Sequence, residues 1–256
     1  LMGGYKMNTL TVINQKGGVG KSTTAHAIGA GLALKGFKTL YIDLDAQGNL
    51  SYTAGAESLN ITILEVLQKK ADITQAIQHT QQGDIVASTP ALAGADIIIT
   101  ATGKEYRLKE ALKPISGLYD YCIIDTPPAL GILTINALTA CSGAIIPTQA
   151  DIYSLQGIGQ LYNTIQTVKE YCNPSLTIKG IVLTRYNSRA IISREVAEKL
   201  KEIADQLNTK LYTATIRECT ALKEAQAKKQ DIYSYAPRSN AAADYMQLVD
   251  EIIKGE

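Results

Sequence analysis

The chain has 256 residues, of which 46% are hydrophobic and 19% charged, with a formal net charge of +1. That balance suits one soluble core of ordinary size, excludes a disordered chain, and gives no global electrostatic attraction to nucleic acid. No apolar run approaches the roughly 18 residues of a membrane-spanning helix, and Cys122, Cys141, Cys172 and Cys219 lack C-x-x-C spacing, so reduced cysteines and a cytoplasmic setting are expected.

Residues 1–7 read as a leader, and residues 8–256 as a single domain, because no Pro/Gly/Ser-rich or charge-block stretch divides them. Short β-branched runs at residues 9–14, 39–43, 84–87, 121–125, 144–147 and 178–184 predict strands. Nearly all lack polar alternation, which marks strands covered on both faces. Between and after them, residues 21–35, 104–113, 132–140, 156–172, 193–207 and 240–254 predict helices. In the fifth of these, Val196, Leu200, Ile203 and Leu207 recur at helical spacing, with charged residues on the other faces. The alternation predicts a doubly wound α/β fold, a mainly parallel sheet with helices on both faces.

The stretch Lys16-Gly17-Gly18-Val19-Gly20-Lys21-Ser22-Thr23 lies between the first strand and the first helix. A Gly-rich turn there aims backbone N–H groups at one spot, reinforced by the positive end of the helix dipole, and so fits a polyphosphate. Lys21 is placed to meet the β- and γ-phosphates, and the Ser22 hydroxyl to bind Mg²⁺. The strict G-x-x-x-x-G-K-[ST] pattern fails because Gln15 occupies the place of its first Gly. Lys16, five residues before Lys21, cannot readily reach the same phosphates from so tight a loop and is expected to point outward, toward another chain's nucleotide. Asp45 follows one predicted strand and Asp125 ends another, which brings them to the sheet edge where open α/β folds bind ligands. Asp125 suits a Walker B carboxylate holding Mg²⁺ through water. Asp45 suits orientation of the attacking water or of metal-bound water.

The segments from Asn14 to Thr24, from Asp43 to Asn49 and from Asp125 to Gly131, in this order, resemble the ParA/MinD family of deviant Walker A ATPases, and are closest to the chromosome- and plasmid-partition ParA branch. The resemblance covers the chain from Asn8 onward. It implies slow, Mg²⁺-dependent ATP hydrolysis and an ATP-state homodimer in which Lys16 of each subunit reaches the other's phosphates. Lys21 is then needed for nucleotide binding, Asp45 for hydrolysis, and Ser22, Asp45 and Asp125 for the metal. The adenine is expected near Arg185 and Pro237. The branch also implies ATP-dependent binding of nonspecific DNA, a ParB-type centromere-binding partner that stimulates hydrolysis, and a nucleoid-associated location. Three departures stand out: Ala46 where the branch usually has Pro, Ser22 for the more common Thr, and Ala221 where many members carry a second Arg after the one matching Arg217.

Between Lys179 and Lys229, eleven basic residues face six acidic ones. This local excess supports a DNA reading in which Arg189, Arg194, Arg217, Lys223, Lys228 and Lys229 are candidate contacts. Solvated helix faces are the plain alternative. A MinD-like membrane-cycling regulator is disfavoured because the segment from Tyr245 to Glu256 sets three acidic groups against one lysine. An iron–sulfur ATPase resembling nitrogenase iron protein lacks a second cysteine to partner Cys141 at the switch. A dethiobiotin- or cobyrinate-synthase type of enzyme shares the phosphate loop but uses ATP to activate a carboxylate.

Overall fold

In the computed structural model, which describes residues 7–57 and 61–255, the apolar runs become strands of one sheet. They are β1 (Asn8–Val12), β2 (Thr39–Asp43), β3 (Ile77–Thr80), β4 (Gly83–Val86), β5 (Tyr121–Asp125), β6 (Gly143–Gln149), β7 (Thr177–Tyr186) and β8 (Leu211–Arg217). The sheet has eight strands in the order β3-β4-β2-β5-β1-β6-β7-β8, all parallel except the β3–β4 hairpin.

The helices are α1 (Lys21–Leu34), α2 (Asn49–Thr53), α3 (Ile63–Leu67), α4 (Ile73–Ala76), α5 (Ala95–Ile98), α6 (Arg107–Leu112), α7 (Ile132–Ala140), α8 (Ile152–Tyr171), α9 (Ile191–Gln206), α10 (Thr220–Ala227), α11 (Ile232–Tyr235) and α12 (Asn240–Lys254). The helix expected over residues 104–113 is shorter: a 3₁₀ turn precedes α6, and Pro114, in a second 3₁₀ turn, follows it.

Successive strand residues go to opposite faces, and both faces are apolar. Leu10, Val12, Ile123, Ile145 and Val182 pack beneath α1 and α12. Cys122 and Ile124 face α3, α6 and α7, while Ala144, Ile146 and Ile181 face α8 and α9. Each fully buried Leu or Ile contributes about 1.5–3 kcal/mol, and this two-sided burial is why the strands read as continuous apolar runs.

Two strands depart from that pattern. In β3 (IQHT) no residue is buried, and β8 alternates buried with exposed positions at the far edge of the sheet. Met7, placed with the leader by the sequence, is buried with Leu40 and Ile124, so the fold includes it. Residues 1–6 lie outside the described residues. Gly29 brings α1 tightly onto the sheet, since a Cβ there would stand 2.2 Å from Cε1 of Tyr41. Among the described residues no helix is long and apolar enough to cross a membrane.

Candidate nucleotide site

The loop after β1 is pinned from below. Asn14 donates from Nδ2 to the Pro147 carbonyl at 2.8 Å and accepts the Lys16 N–H at 2.9 Å. The Thr184 hydroxyl lies 2.8 Å from the Val19 carbonyl, and the Val19 side chain is buried. Gly18 and Gly20 adopt left-handed φ of 76° and 86°, which glycine alone takes without strain. Gly20 caps α1 without a side chain, leaving the first-turn amides open. A Cβ placed on Gly17, Gly18 or Gly20 would meet nothing within 4 Å. The loop is therefore an open cradle of N–H groups, and it forms one wall of a cleft of about 530 Å³.

Lys21, Ser22 and Thr23 line that cleft from α1, and Asp45, Asn49, Tyr52 and Thr53 line the wall opposite. Lys21 is buried, with Nζ 3.4 Å from the Lys16 carbonyl. Burial pushes its pKa down, while the charges of Asp125 and Asp45 oppose that shift.

The strand register sets Asp125 of β5 beside both Val12 of β1 and Asp43 of β2. Asp43 accepts three hydrogen bonds, from Ser51 N at 2.8 Å, Ser51 Oγ at 2.7 Å and Asp45 N at 3.0 Å. Burial nonetheless pushes its pKa up to about 6. Asp125 is fully buried, and neither carboxylate oxygen has a hydrogen-bond partner. Burial, reinforced by Asp43, holds its carboxyl well above the usual range, while Ser22 and Lys21 favour the ionised form.

A buried carboxylate with no close donor, and only Ser22 and Lys21 near it, suits a cation. Among the described residues no group of three His, Cys, Asp or Glu side chains is disposed to cage a metal. Mg²⁺ needs only one or two protein ligands and completes its shell with phosphate and water. Ser22 and Asp125, with Asp45 across the cleft, fit that donor set.

Lys16 does not line the cleft. Its Nζ lies 2.5 Å from Oδ2 of Asp151, the N-cap residue of α8, and both side chains are about one-third exposed, at 35% and 33%. Arg185 lines the cleft wall with a left-handed φ of 48°, an unusual conformation for a residue with a side chain. Pro237, which the resemblance set beside the adenine, is exposed in the turn before α12. It lines neither the cleft nor the adjoining cavity of about 70 Å³. Tyr52 and Gln226 line the cleft without any prior sequence signal.

The candidate DNA residues separate into three kinds. Arg189, Arg194, Lys223 and Lys228 are exposed. Arg217 is engaged within the fold: its guanidinium donates to Asp244 at 3.0 and 2.6 Å, and its N–H donates to the same carboxylate at 3.0 Å. Lys229 sets its ammonium 4.8 Å from the centre of the Tyr52 ring. Because α9 and α10 pack on opposite faces of the sheet, the exposed groups share only the edge where β7 and β8 end.

Comparison with known proteins agrees with this architecture. Residues 7–178 match a family model described as an AAA domain. The chain is 39% identical over 248 residues to the sporulation initiation inhibitor protein Soj of Bacillus subtilis, covering 95% of this chain and 97% of Soj. It is 35% identical over 262 residues to the chromosome partitioning protein ParA of Caulobacter vibrioides, covering 100% and 97%. Among solved structures, McdA of Cyanothece in complex with ATP superposes with a TM-score of 0.86 at 25% identity, over 98% of this chain and 97% of that one. A cobyrinic acid a,c-diamide synthase of Mycobacterium smegmatis, with an ATP analogue and magnesium, superposes with a TM-score of 0.84 at 33% identity, over 97% and 95%. On this footing the chain belongs to the ParA/MinD family of deviant Walker A ATPases, in the branch of the chromosome-partitioning ParA proteins.

Proposed function

We propose that this protein is a DNA-partition ATPase whose ATP-bound homodimer holds nonspecific DNA and whose slow hydrolysis resets it. The observation that carries the reading is the divergence of two lysines on one loop. Lys21 is buried in its own cleft, while Lys16 turns away to Asp151. An ammonium turned out of its own phosphate site can reach a neighbour's once it exchanges Asp151 for phosphate, so the γ-phosphate becomes part of a subunit contact.

The loop amides and Lys21 bind the β- and γ-phosphates. Ser22 and Asp125 would hold Mg²⁺, Asp125 through water, and the ion would supply charge neutralisation to the polyphosphate. Asp45 orients a water for in-line attack on the γ-phosphorus. The bond to the β–γ bridging oxygen breaks, and ADP and phosphate leave. Lys16 of the partner subunit neutralises charge on the transferred group, so phosphate release removes the reason for the dimer. Arg189, Arg194, Lys223 and Lys228, doubled by dimerisation, supply phosphate contacts to DNA. A ParB-type partner stimulates hydrolysis at a cytoplasmic, nucleoid-associated location.

The membrane-cycling alternative is disfavoured by α12, whose Tyr245, Leu248, Val249 and Ile252 are all buried in the core. Carboxylate activation of the cobyrinate or dethiobiotin type predicts turnover that depends on a small-molecule acid, whereas the partition reading predicts turnover that depends on DNA and a protein partner.

Duplex DNA binding is to be measured with ATP, with ADP and without nucleotide, at two salt concentrations. Wild type is expected to bind with ATP alone, and Asp45→Ala to remain DNA-bound. Lys16→Ala is expected neither to dimerise nor to hydrolyse ATP. DNA binding that is absent, or independent of nucleotide, in all three proteins refutes the reading.

A further inference from the structure

The cleft's two walls meet outside it. On one side, Asp43 gathers residues 43–53 around its carboxylate: it accepts from Asp45 N, Ser51 N and Ser51 Oγ, and Ser51 Oγ in turn accepts the Ser88 N–H at 2.9 Å. The segment is thus one hydrogen-bonded unit carrying Asp45 at its start and Tyr52 near its end. Tyr52 is 54% exposed, lines the cleft, and presents its ring face to Lys229, with Nζ 4.8 Å from the ring centre. On the other side, Gln226 of α10 donates from Nε2 to Oγ1 of Thr23 at 2.7 Å, one residue past the proposed metal ligand Ser22. Helix α10 is therefore tied to the nucleotide site at two points, one on each wall, and it carries Lys223 and leads directly into Lys228 and Lys229. Lys229 also adopts a left-handed conformation, φ 52°, an unusual one for a residue with a side chain.

We propose that Tyr52 and Gln226 form a two-point link reporting nucleotide state to the basic end of α10. In this link Tyr52 positions Lys229 for a DNA phosphate when ATP holds residues 43–53 in place. A loss of order at Asp45 after hydrolysis passes through Asp43 and Ser51 to the Tyr52 ring, and Lys229 loses the surface that aims it. Tyr52 is a positioning residue: it carries no charge for DNA and acts through the lysine it holds. The proposal rests on the DNA reading above.

The test measures duplex DNA affinity by fluorescence anisotropy at saturating ATP across a salt series, for wild type, Tyr52→Phe, Tyr52→Leu, Lys229→Gln, Arg189→Gln and the Tyr52→Leu/Lys229→Gln double variant. Each pairing of a Lys229 with a DNA phosphate contributes about 0.9 to the steepness of log affinity against log salt, so its loss in both subunits of the dimer lowers that steepness by about 1.8. Lys229→Gln and Tyr52→Leu are both expected to show that decrease although only the first removes a charge, the double variant no further decrease, and Tyr52→Phe, which keeps the ring, none. If Lys229→Gln lowers the slope and Tyr52→Leu leaves it intact, or the two effects add, the link is refuted while the DNA reading stands. If neither Lys229→Gln nor Arg189→Gln changes affinity, the DNA reading itself falls and takes the link with it.

Discussion

Asp43 and Asp125 stand side by side at the ends of two parallel strands, yet Asp43 accepts three hydrogen bonds and Asp125 accepts none. The two carboxylates therefore have different tasks. Asp43 organises the chain that follows β2, and Asp125 is left with its full capacity for a cation.

Asp125→Asn removes a buried carboxyl whose ionised form burial and Asp43 penalise more than Ser22 and Lys21 stabilise it, so the nucleotide-free protein is expected to melt at a higher temperature than wild type. The same variant should lose about 10–100-fold of its ATP affinity in Mg²⁺, as outer-shell metal partners do, and little in EDTA. Calorimetric melting with nucleotide titration in both media checks this. Equal losses with and without Mg²⁺ would place Asp125 outside the metal site.

Asp151→Ser keeps an oxygen to cap α8 but releases Lys16. A partly exposed ion pair is worth about 0.2–1 kcal/mol, or about 0.4–2 kcal/mol for the two pairs released in a dimer, so ATP-dependent dimerisation should tighten by roughly two- to thirtyfold, read by sedimentation at several protein concentrations. A weakened dimer would mean that Asp151 supports the subunit contact instead of restraining Lys16.

His26, buried on α1, has its pKa lowered to about 4 by burial. The unfolded chain binds that proton near pH 6.5, so the folded state loses stability as pH falls from about 6.5 toward 4, by about 2 kcal/mol at pH 5. In His26→Asn this share of the acid sensitivity disappears. The check is the difference between variant and wild type in unfolding free energy at pH 7.5 and pH 5, which cancels every other titrating group.

Gly29→Ala drives a methyl into the Tyr41 ring, and overpacking of this kind costs about 1–3 kcal/mol. Adding Tyr41→Leu should recover part of the loss in denaturant unfolding, whereas Tyr41→Phe, which retains the ring, should not.

Arg217→Gln is expected to lower the melting temperature and leave the salt dependence of DNA binding unchanged, because its guanidinium is bonded to Asp244. Arg189→Gln should do the reverse. The paired measurement separates the arginine that holds β8 to α12 from one that faces solvent.

The sheet and the phosphate loop were legible in the sequence because their signals are local: apolar runs set the strands, and glycines beside a lysine and a serine set the turn. β3 and β8 escaped because edge strands are half exposed and lose the apolar continuity that marks the interior. The roles of Gln226 and Tyr52 could not be read because they arise from contacts such as Gln226 with Thr23, 203 positions apart. Arg217 was legible as a cation, but its carboxylate partner lies on another element. The extra load on Asp125 was hidden for the same reason, since register between β2 and β5 is decided by packing and not by either strand alone.

Gly29 and Gly31 have a consequence for how the site can move. With Tyr41 pressed on one and Tyr233 and Val249 on the other, α1 has no slack against the sheet or α12, and the loop that it carries is anchored like the fixed jaw of a vise. Loss of the terminal phosphate cannot be absorbed by recoil of that jaw. The travel falls to the opposite jaw, residues 43–53, whose hydrogen bonds to the Asp43 carboxylate and to Ser88 can be released one at a time while Leu44 and Leu50 stay buried.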